Sequence, residues 1–131
     1  RRGLNDFGPK YGCGQGTCGT CSVLIDGELR LACLTLAAAC DGASVETVSG
    51  MANGPTLHPL QSAFMEHFAA QCGFCTPGML TAAKALLAKN ASPTREEVID
   101  AIAGNICRCT GYEPIIEAIL AASRSGAAVR A

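Results

Sequence analysis

The spacing of the cysteines constrains this chain more strongly than any other feature of its sequence. The chain contains nine cysteines in 131 residues, and eight of them form two groups of four. The first group reads C-x4-C-x2-C with a fourth cysteine further on, and it comprises Cys13, Cys18, Cys21 and Cys33. The second reads C-x2-C and then C-x-C, and it comprises Cys72, Cys75, Cys107 and Cys109. Because the first spacing is that of plant-type [2Fe–2S] proteins and each such cluster needs four thiolates, the sequence predicts two clusters and electron transfer.

Other uses of the cysteines have to be weighed against this prediction. Disulfides are disfavoured, because the cysteine count is odd and the sequence shows no secretory signal. Zinc stays open for the second group taken alone, since C-x2-C also occurs in zinc sites with four thiolates. A Rieske centre needs two histidines as ligands, but cysteine already fills every ligand position, so His58 and His67 are not needed. The ninth cysteine, Cys40, is predicted to be structural.

Composition and charge argue against several classes of partner. The net charge is −1, and neither sign forms a long run, so nothing indicates a nucleic-acid partner. No stretch approaches the roughly 20 apolar residues of a membrane span, and we expect a cytoplasmic protein, with export on a partner's signal left open. No side chain is arranged as a general acid, base or nucleophile, which predicts no catalytic residue on this chain. Aromatic residues make up 5% of the chain, so metal sites or a partner subunit are expected to add stability.

The first half of the chain predicts a β-hairpin that completes the first cysteine group. Asp26-Gly27 separates two β-type runs over 22–25 and 28–32, which is a strong signal for a two-residue hairpin loop. Counting back from the loop places Cys21 opposite Ala32, so the hairpin returns Cys33 to the other three cysteines. Four glycines between residues 12 and 19 allow the tight turns that a loop around a cluster requires. A further strand is predicted over 44–48.

The second half predicts four helices, over about 58–69, 77–90, 95–104 and 113–123. Thr76 is the predicted N-cap of the second helix, and Thr94 with Glu97 forms a predicted capping box for the third. The cysteine pairs of the second group therefore precede two helix N-termini, where the helix dipole favours an anionic cluster. Linker-type residues near 49–56 suggest a division into a first domain, a linker, a helical domain and a tail, over 1–50, 51–56, 57–124 and 125–131.

Three segments of the sequence resemble the cluster motifs of one known family. Residues 10–21, KYGCGQGTCGTC, are similar to the first cluster motif of the molybdenum hydroxylases, the family of xanthine dehydrogenase and aldehyde oxidoreductase. Residues 71–79, QCGFCTPGM, and residues 104–112, GNICRCTGY, resemble the second motif of that family. The resemblance covers roughly residues 4–122, and three long motifs in the right order are far more specific than a single C-x2-C.

The resemblance implies an α+β fold and a role as the small iron–sulfur subunit of a larger enzyme. A plant-ferredoxin-like β-grasp domain, with its N-terminal hairpin apparently missing, would precede a four-helix bundle that binds the second [2Fe–2S] cluster. Electrons would pass from molybdopterin on a large partner subunit, through the helical-domain cluster and then the ferredoxin-type cluster, to FAD on a third subunit or to another acceptor. Gln71 and Cys109 match family positions that lie against the pterin. A free-standing two-cluster carrier and a zinc-stapled interaction module stay open as alternatives.

Overall fold

The computed structural model describes residues 3–125 and shows an α+β chain in which a small antiparallel sheet precedes four helices. Short 3₁₀ turns follow the second and third strands. Residues 1–2 of the predicted first domain and residues 126–131 of the predicted tail lie outside the described residues. The elements are β1 (Ser22–Ile25), β2 (Glu28–Leu31), β3 (Val45–Glu46), α1 (Pro59–Glu66), α2 (Thr76–Lys89), α3 (Arg95–Ile102) and α4 (Glu113–Arg124).

The predicted hairpin and its register are confirmed. Ile25 pairs with Glu28, and the backbone N–H of Ala32 donates to the carbonyl oxygen of Cys21 at 3.2 Å. Asp26 and Gly27 both have positive φ, as the tight loop between right-twisted strands requires. The third strand is shorter than the predicted run over 44–48, because Thr47 leaves the sheet and caps the 3₁₀ turn over 48–50. The strands lie in the order β2-β1-β3.

The helices lie where the sequence predicts them, with corrections at their ends. Helix α1 ends at Glu66 rather than at residue 69, because Phe68 adopts a left-handed conformation with φ +52°. The N-cap of α2 is Cys75 and not Thr76, since the carbonyl oxygen of Cys75 already accepts the N–H of Met79 at 3.1 Å. The capping box of Thr94 and Glu97 at the start of α3 is confirmed.

Helix α2 occupies the middle of the molecule and places the two cysteine groups next to each other. It contacts β1 and β2 on one side and the other three helices on the other. An ion pair of 2.8 Å between Lys84 and Glu46 adds a link between α2 and β3. The core lies between the helices, where five large side chains are essentially inaccessible to solvent: Leu60, Met79, Val98, Ile115 and Ile119. Within residues 3–125, none of the helices has the length and apolar character that crossing a membrane requires.

Candidate iron–sulfur centres

The loop before β1 points backbone N–H groups at two of the predicted ligands. The N–H groups of Gln15 and Thr17 donate to the Sγ of Cys13 at 3.4 and 3.3 Å, and the N–H of Cys13 donates to the Sγ of Cys18 at 3.4 Å. Hydrogen bonds from Thr17, and then from Gln15, lower the pKa of the Cys13 thiol from 9.0 to about 5. Gly14 turns the loop with a φ of +68°, which a side chain rarely adopts. The loop is therefore built to stabilise negative sulfur.

The other two cysteines of the first group lie at the base of the hairpin. Cys21 immediately precedes β1, and Cys33 lies in the 3₁₀ turn that follows β2. Burial raises the pKa of the Cys21 thiol, and the neighbouring Cys33 thiol also acts on it. Cys13 and Cys18 are joined through the backbone N–H of Cys13, which donates to the Sγ of Cys18. The first group thus brings Cys13 beside Cys18 and Cys21 beside Cys33, and the hairpin register predicts this return of Cys33.

The second group forms two pairs as well, each joining one cysteine before α2 to one cysteine before α4. The Sγ atoms of Cys72 and Cys109 lie 3.5 Å apart, and the Cys107 thiol is close enough to Cys75 to raise its pKa. Cys72 and Cys109 are exposed, whereas Cys75 and Cys107 are each 7% exposed. The second centre therefore has one pair at the surface and one pair beneath it.

Burial and hydrogen bonding set opposite pKa shifts within the second group. Burial, followed by the hydrogen bond from Cys107, raises the pKa of Cys75 to about 12. Burial also acts to raise the pKa of Cys107, but hydrogen bonds from Thr110, Cys109 and Cys75 together outweigh it, and the net shift is downward. Four thiolates cannot lie this close together in the absence of a cation, because each negative charge raises the pKa of its neighbours. Metal binding by this group is therefore coupled to the loss of protons.

The arrangement of the thiols fits a two-iron cluster at each group. A [2Fe–2S] cluster held by four cysteines presents two irons, and each iron takes two thiolates. Each group supplies two thiol pairs, and backbone N–H groups point at its sulfurs. Both groups thus have the donor set and the pairing that a [2Fe–2S] cluster requires.

The structure also places residues at the sites that the sequence analysis missed. The hydroxyl of Thr20 lies 3.3 Å from the Sγ of Cys18, and the hydroxyl of Thr110 lies 3.2 Å from the Sγ of Cys107. The Oη atom of Tyr112 accepts the backbone N–H of Cys107 at 3.0 Å. A threonine two or three residues after a predicted ligand is the sequence signal that could have found the first two.

Four further residues that the sequence singles out lie outside the two cysteine groups. Gln71 is exposed beside Cys72. Cys40 donates to the carbonyl oxygen of Leu36 at 3.7 Å, and it belongs to neither cysteine group. His58 and His67 cap the two ends of α1 rather than joining the cysteines.

Comparison with known proteins agrees with this geometry. Residues 47–120 match a [2Fe-2S] binding domain, and residues 6–66 match a 2Fe-2S iron–sulfur cluster binding domain. The chain is 56% identical over 113 residues to the nicotine 6-hydroxylase small subunit of Paenarthrobacter nicotinovorans, covering 86% of this chain and 68% of that protein. It is 47% identical over 126 residues to the aldehyde oxidoreductase of Megalodesulfovibrio gigas, covering 94% of this chain but 14% of that protein.

A solved structure shares the whole architecture. The crystal structure of quinoline 2-oxidoreductase from Pseudomonas putida 86 superposes with a TM-score of 0.89 at 51% identity, covering 95% of this chain and 76% of the matched chain. The two matched domains define the class of this chain as an iron–sulfur protein with two [2Fe–2S] clusters. The chain belongs to this class as an iron–sulfur member of the molybdenum hydroxylase family, which confirms the resemblance of its three motifs. Like its relatives in this family, it is an iron–sulfur unit of an oxidoreductase.

Proposed function

We propose that this chain receives single electrons from a molybdopterin centre on a large partner subunit and passes them through its two clusters to FAD on another subunit or to another acceptor. The observation that carries this proposal is the split of the second cysteine group into an exposed pair and a buried pair. The exposed pair offers a surface entry for electrons, and the buried pair lies toward the rest of the chain. The complex would work in the cytoplasm, where thiols stay reduced until a cluster is inserted.

The proposal assigns two thiolates to each iron. Cys13 with Cys18, and Cys21 with Cys33, would hold the two irons of the first cluster. Cys72 with Cys109, and Cys75 with Cys107, would hold those of the second cluster. The contact of Cys72 with Cys109, the hydrogen bond from the N–H of Cys13 to Cys18, and the mutual influence of the other neighbouring thiols support these assignments.

The entry point for electrons is proposed to be the surface around Cys109 and Gln71. Both residues are exposed, and the apolar side chains of Phe74 and Ile106 lie exposed nearby in sequence, at 46% and 52%. Exposed apolar side chains close in sequence to a proposed ligand cysteine suit contact with a partner that excludes water. Gln71 would then donate or accept a hydrogen bond at the edge of the pterin.

The division into domains also forms part of the proposal. We assign residues 1–50 to a β-grasp domain, 51–56 to a linker, 57–124 to a helical bundle and 125–131 to a tail. Several apolar side chains of the first half are exposed in the described residues, among them Leu34 at 64% and Leu36 at 77%. Such exposure supports a β-grasp sheet that needs a further covering layer, because an apolar patch on a soluble surface marks a contact.

The test is low-temperature EPR of the purified complex after partial reduction. The proposal predicts two distinct [2Fe–2S] signals together with a molybdenum signal from the partner. A Gln71→Ala variant is expected to keep both cluster signals and their reduction by dithionite, while electrons from the substrate reach the clusters more slowly. If the chain purifies alone as a stable carrier with both clusters and no molybdenum protein, the proposed partnership is wrong.

A further inference from the structure

A buried contact joins the loop of the first cysteine group to the loop of the second. The side-chain Nδ2 of Asn105 donates to the carbonyl oxygen of Gly19 at 3.0 Å, and the backbone N–H of Ile106 donates to the carbonyl oxygen of Cys18 at 2.9 Å. Asn105 is 3% exposed. We refer to Gly19, Gly78 and Asn105, with these two hydrogen bonds, as the Asn105 clasp. It connects a ligand of one centre to the residue preceding a ligand of the other.

The clasp has no room for additional atoms. A Cβ atom on Gly78 would clash with the carbonyl oxygen of Gly19 and lie 2.6 Å from the Nδ2 of Asn105. A Cβ atom on Gly19 would lie 2.5 Å from the carbonyl oxygen of Gly104 and 2.7 Å from the Cγ of Asn105. Since real Cβ atoms do not approach this closely, both glycines are required by the packing of the two loops. The loops therefore meet backbone to backbone.

Asn105 is held from its own side as well. Its backbone N–H donates to the carbonyl oxygen of Ile102 at 2.8 Å, which anchors it to the end of α3. The side chain thus extends from a fixed helix end to the backbone of the first loop. The carbonyl oxygen of Gly19 also accepts the backbone N–H and the hydroxyl of Ser22, at 3.0 and 2.7 Å, so the oxygen that Asn105 binds is itself fixed to the start of β1. The clasp is accordingly a rigid connection.

We propose that Asn105 is a positioning residue that fixes the separation of the two clusters and thereby the rate of electron transfer between them. The proposal rests on the assignment of one cluster to each cysteine group. Electron transfer through protein slows steeply with distance, so a small increase in the separation of the loops lowers the rate. The side-chain hydrogen bond of Asn105 goes to Gly19, which is not a proposed ligand, so its effect on the clusters is indirect.

The experiment compares three variants of the intact complex by EPR and by rapid kinetics. Asn105→Asp keeps the shape of the side chain and removes the Nδ2 donor. Asn105→Ala removes the donor together with most of the side chain. Asn53→Ala, at an exposed asparagine in the loop between the two halves, is the matched control. The readouts are the dipolar splitting between the two reduced clusters, which varies as the inverse cube of their separation, and the rate at which an electron moves from the second cluster to the first.

The expected result is a smaller dipolar splitting and a several-fold slower transfer between the clusters in both Asn105 variants. Iron content and the two reduction potentials stay at wild-type values. In Asn53→Ala the dipolar splitting and the transfer rate also stay at wild-type values. Unchanged splitting and rate in Asn105→Ala would overturn the proposal. Loss of iron from either centre in Asn105→Asp would also overturn it, because the residue would then act in cluster retention. A wild-type complex without two clusters would instead contradict the cluster assignment on which the proposal rests.

Discussion

The hydroxyl group of Thr110 illustrates how a single residue can tune a cluster. Its oxygen accepts the backbone N–H of Tyr112 at 3.1 Å and lies 3.2 Å from the Sγ of Cys107. A sulfur that ligates iron carries no proton, so the hydroxyl must be the donor to it. A hydrogen bond to a ligand sulfur stabilises the reduced cluster, which carries one more negative charge, and so raises the reduction potential.

Replacing Thr110 by valine is therefore expected to lower the reduction potential of the second cluster. The loss of one hydrogen bond, worth about 1 kcal/mol, corresponds to a decrease of up to about 40 mV for one electron. Thr110→Ser keeps the hydroxyl and serves as the matched control. An EPR-monitored redox titration measures both variants, and an unchanged potential in Thr110→Val would show that the hydroxyl does not act on the cluster.

The ligand assignment makes a second prediction at the scale of single residues. Cys75→Ser removes a proposed ligand of the second cluster, so iron should fall from about four to about two per chain, with the first cluster's EPR signal retained. Cys40→Ser changes a cysteine outside both groups, and it is expected to keep all the iron. Iron analysis and EPR measure the cluster content of the two variants. Full iron content in Cys75→Ser would contradict the assignment.

At the scale of secondary-structure elements, the start of α1 depends on an unusual cap. The Nδ1 atom of His58 accepts the backbone N–H of Leu60 at 3.2 Å, and Gln61 accepts the N–H of His58 at 2.9 Å. Burial, and then the charge of Lys84, lowers the pKa of His58 below its ordinary value of 6.5. A protonated imidazole would also lose Nδ1 as an acceptor, because both ring nitrogens then donate.

Acid is consequently expected to weaken the fold through His58. The pKa of His58 is lower in the folded chain than in the unfolded chain, so His58 binds fewer protons in the folded state. This contribution to stability is complete above pH 6.5 and is lost as the pH falls through the lower folded pKa. His58→Asn provides an uncharged N-cap of a favoured type. Thermal unfolding between pH 7.5 and 5.5 should then be less pH-dependent in the variant, and an equal slope would disprove this role for His58.

The elements also show which features follow from sequence alone. The register of the hairpin followed from Asp26-Gly27, because a two-residue loop fixes the pairing of its strands. The capping box at Thr94 followed from residues three positions apart. The early end of α1 did not follow, since nothing local marks Phe68 for a positive φ. Likewise, the N-cap of α2 is Cys75 and not the predicted Thr76. The position of Cys75 in the cysteine loop, rather than its capping propensity, determines its backbone conformation.

At the scale of the whole molecule, the sequence predicted which cysteines form each centre but not how the centres meet. Spacing identified both quartets, and motif resemblance identified the family. The pairing of Cys72 with Cys109, and the contact of Asn105 with Gly19, join residues far apart in the chain. Contacts of this kind depend on how α2 packs between the sheet and the helices, and no local pattern encodes that packing.

The account as a whole claims that two diiron clusters are bound by the cysteines of one small chain. The most direct test is the content of iron, acid-labile sulfide and zinc in the purified complex. The values are expressed per copy of this chain, after subtraction of any iron and sulfide that a partner subunit contributes. The account predicts about four irons and about four sulfides per chain, with the visible absorption of [2Fe–2S] clusters. A folded chain that contains zinc, no sulfide and no visible absorption would contradict it.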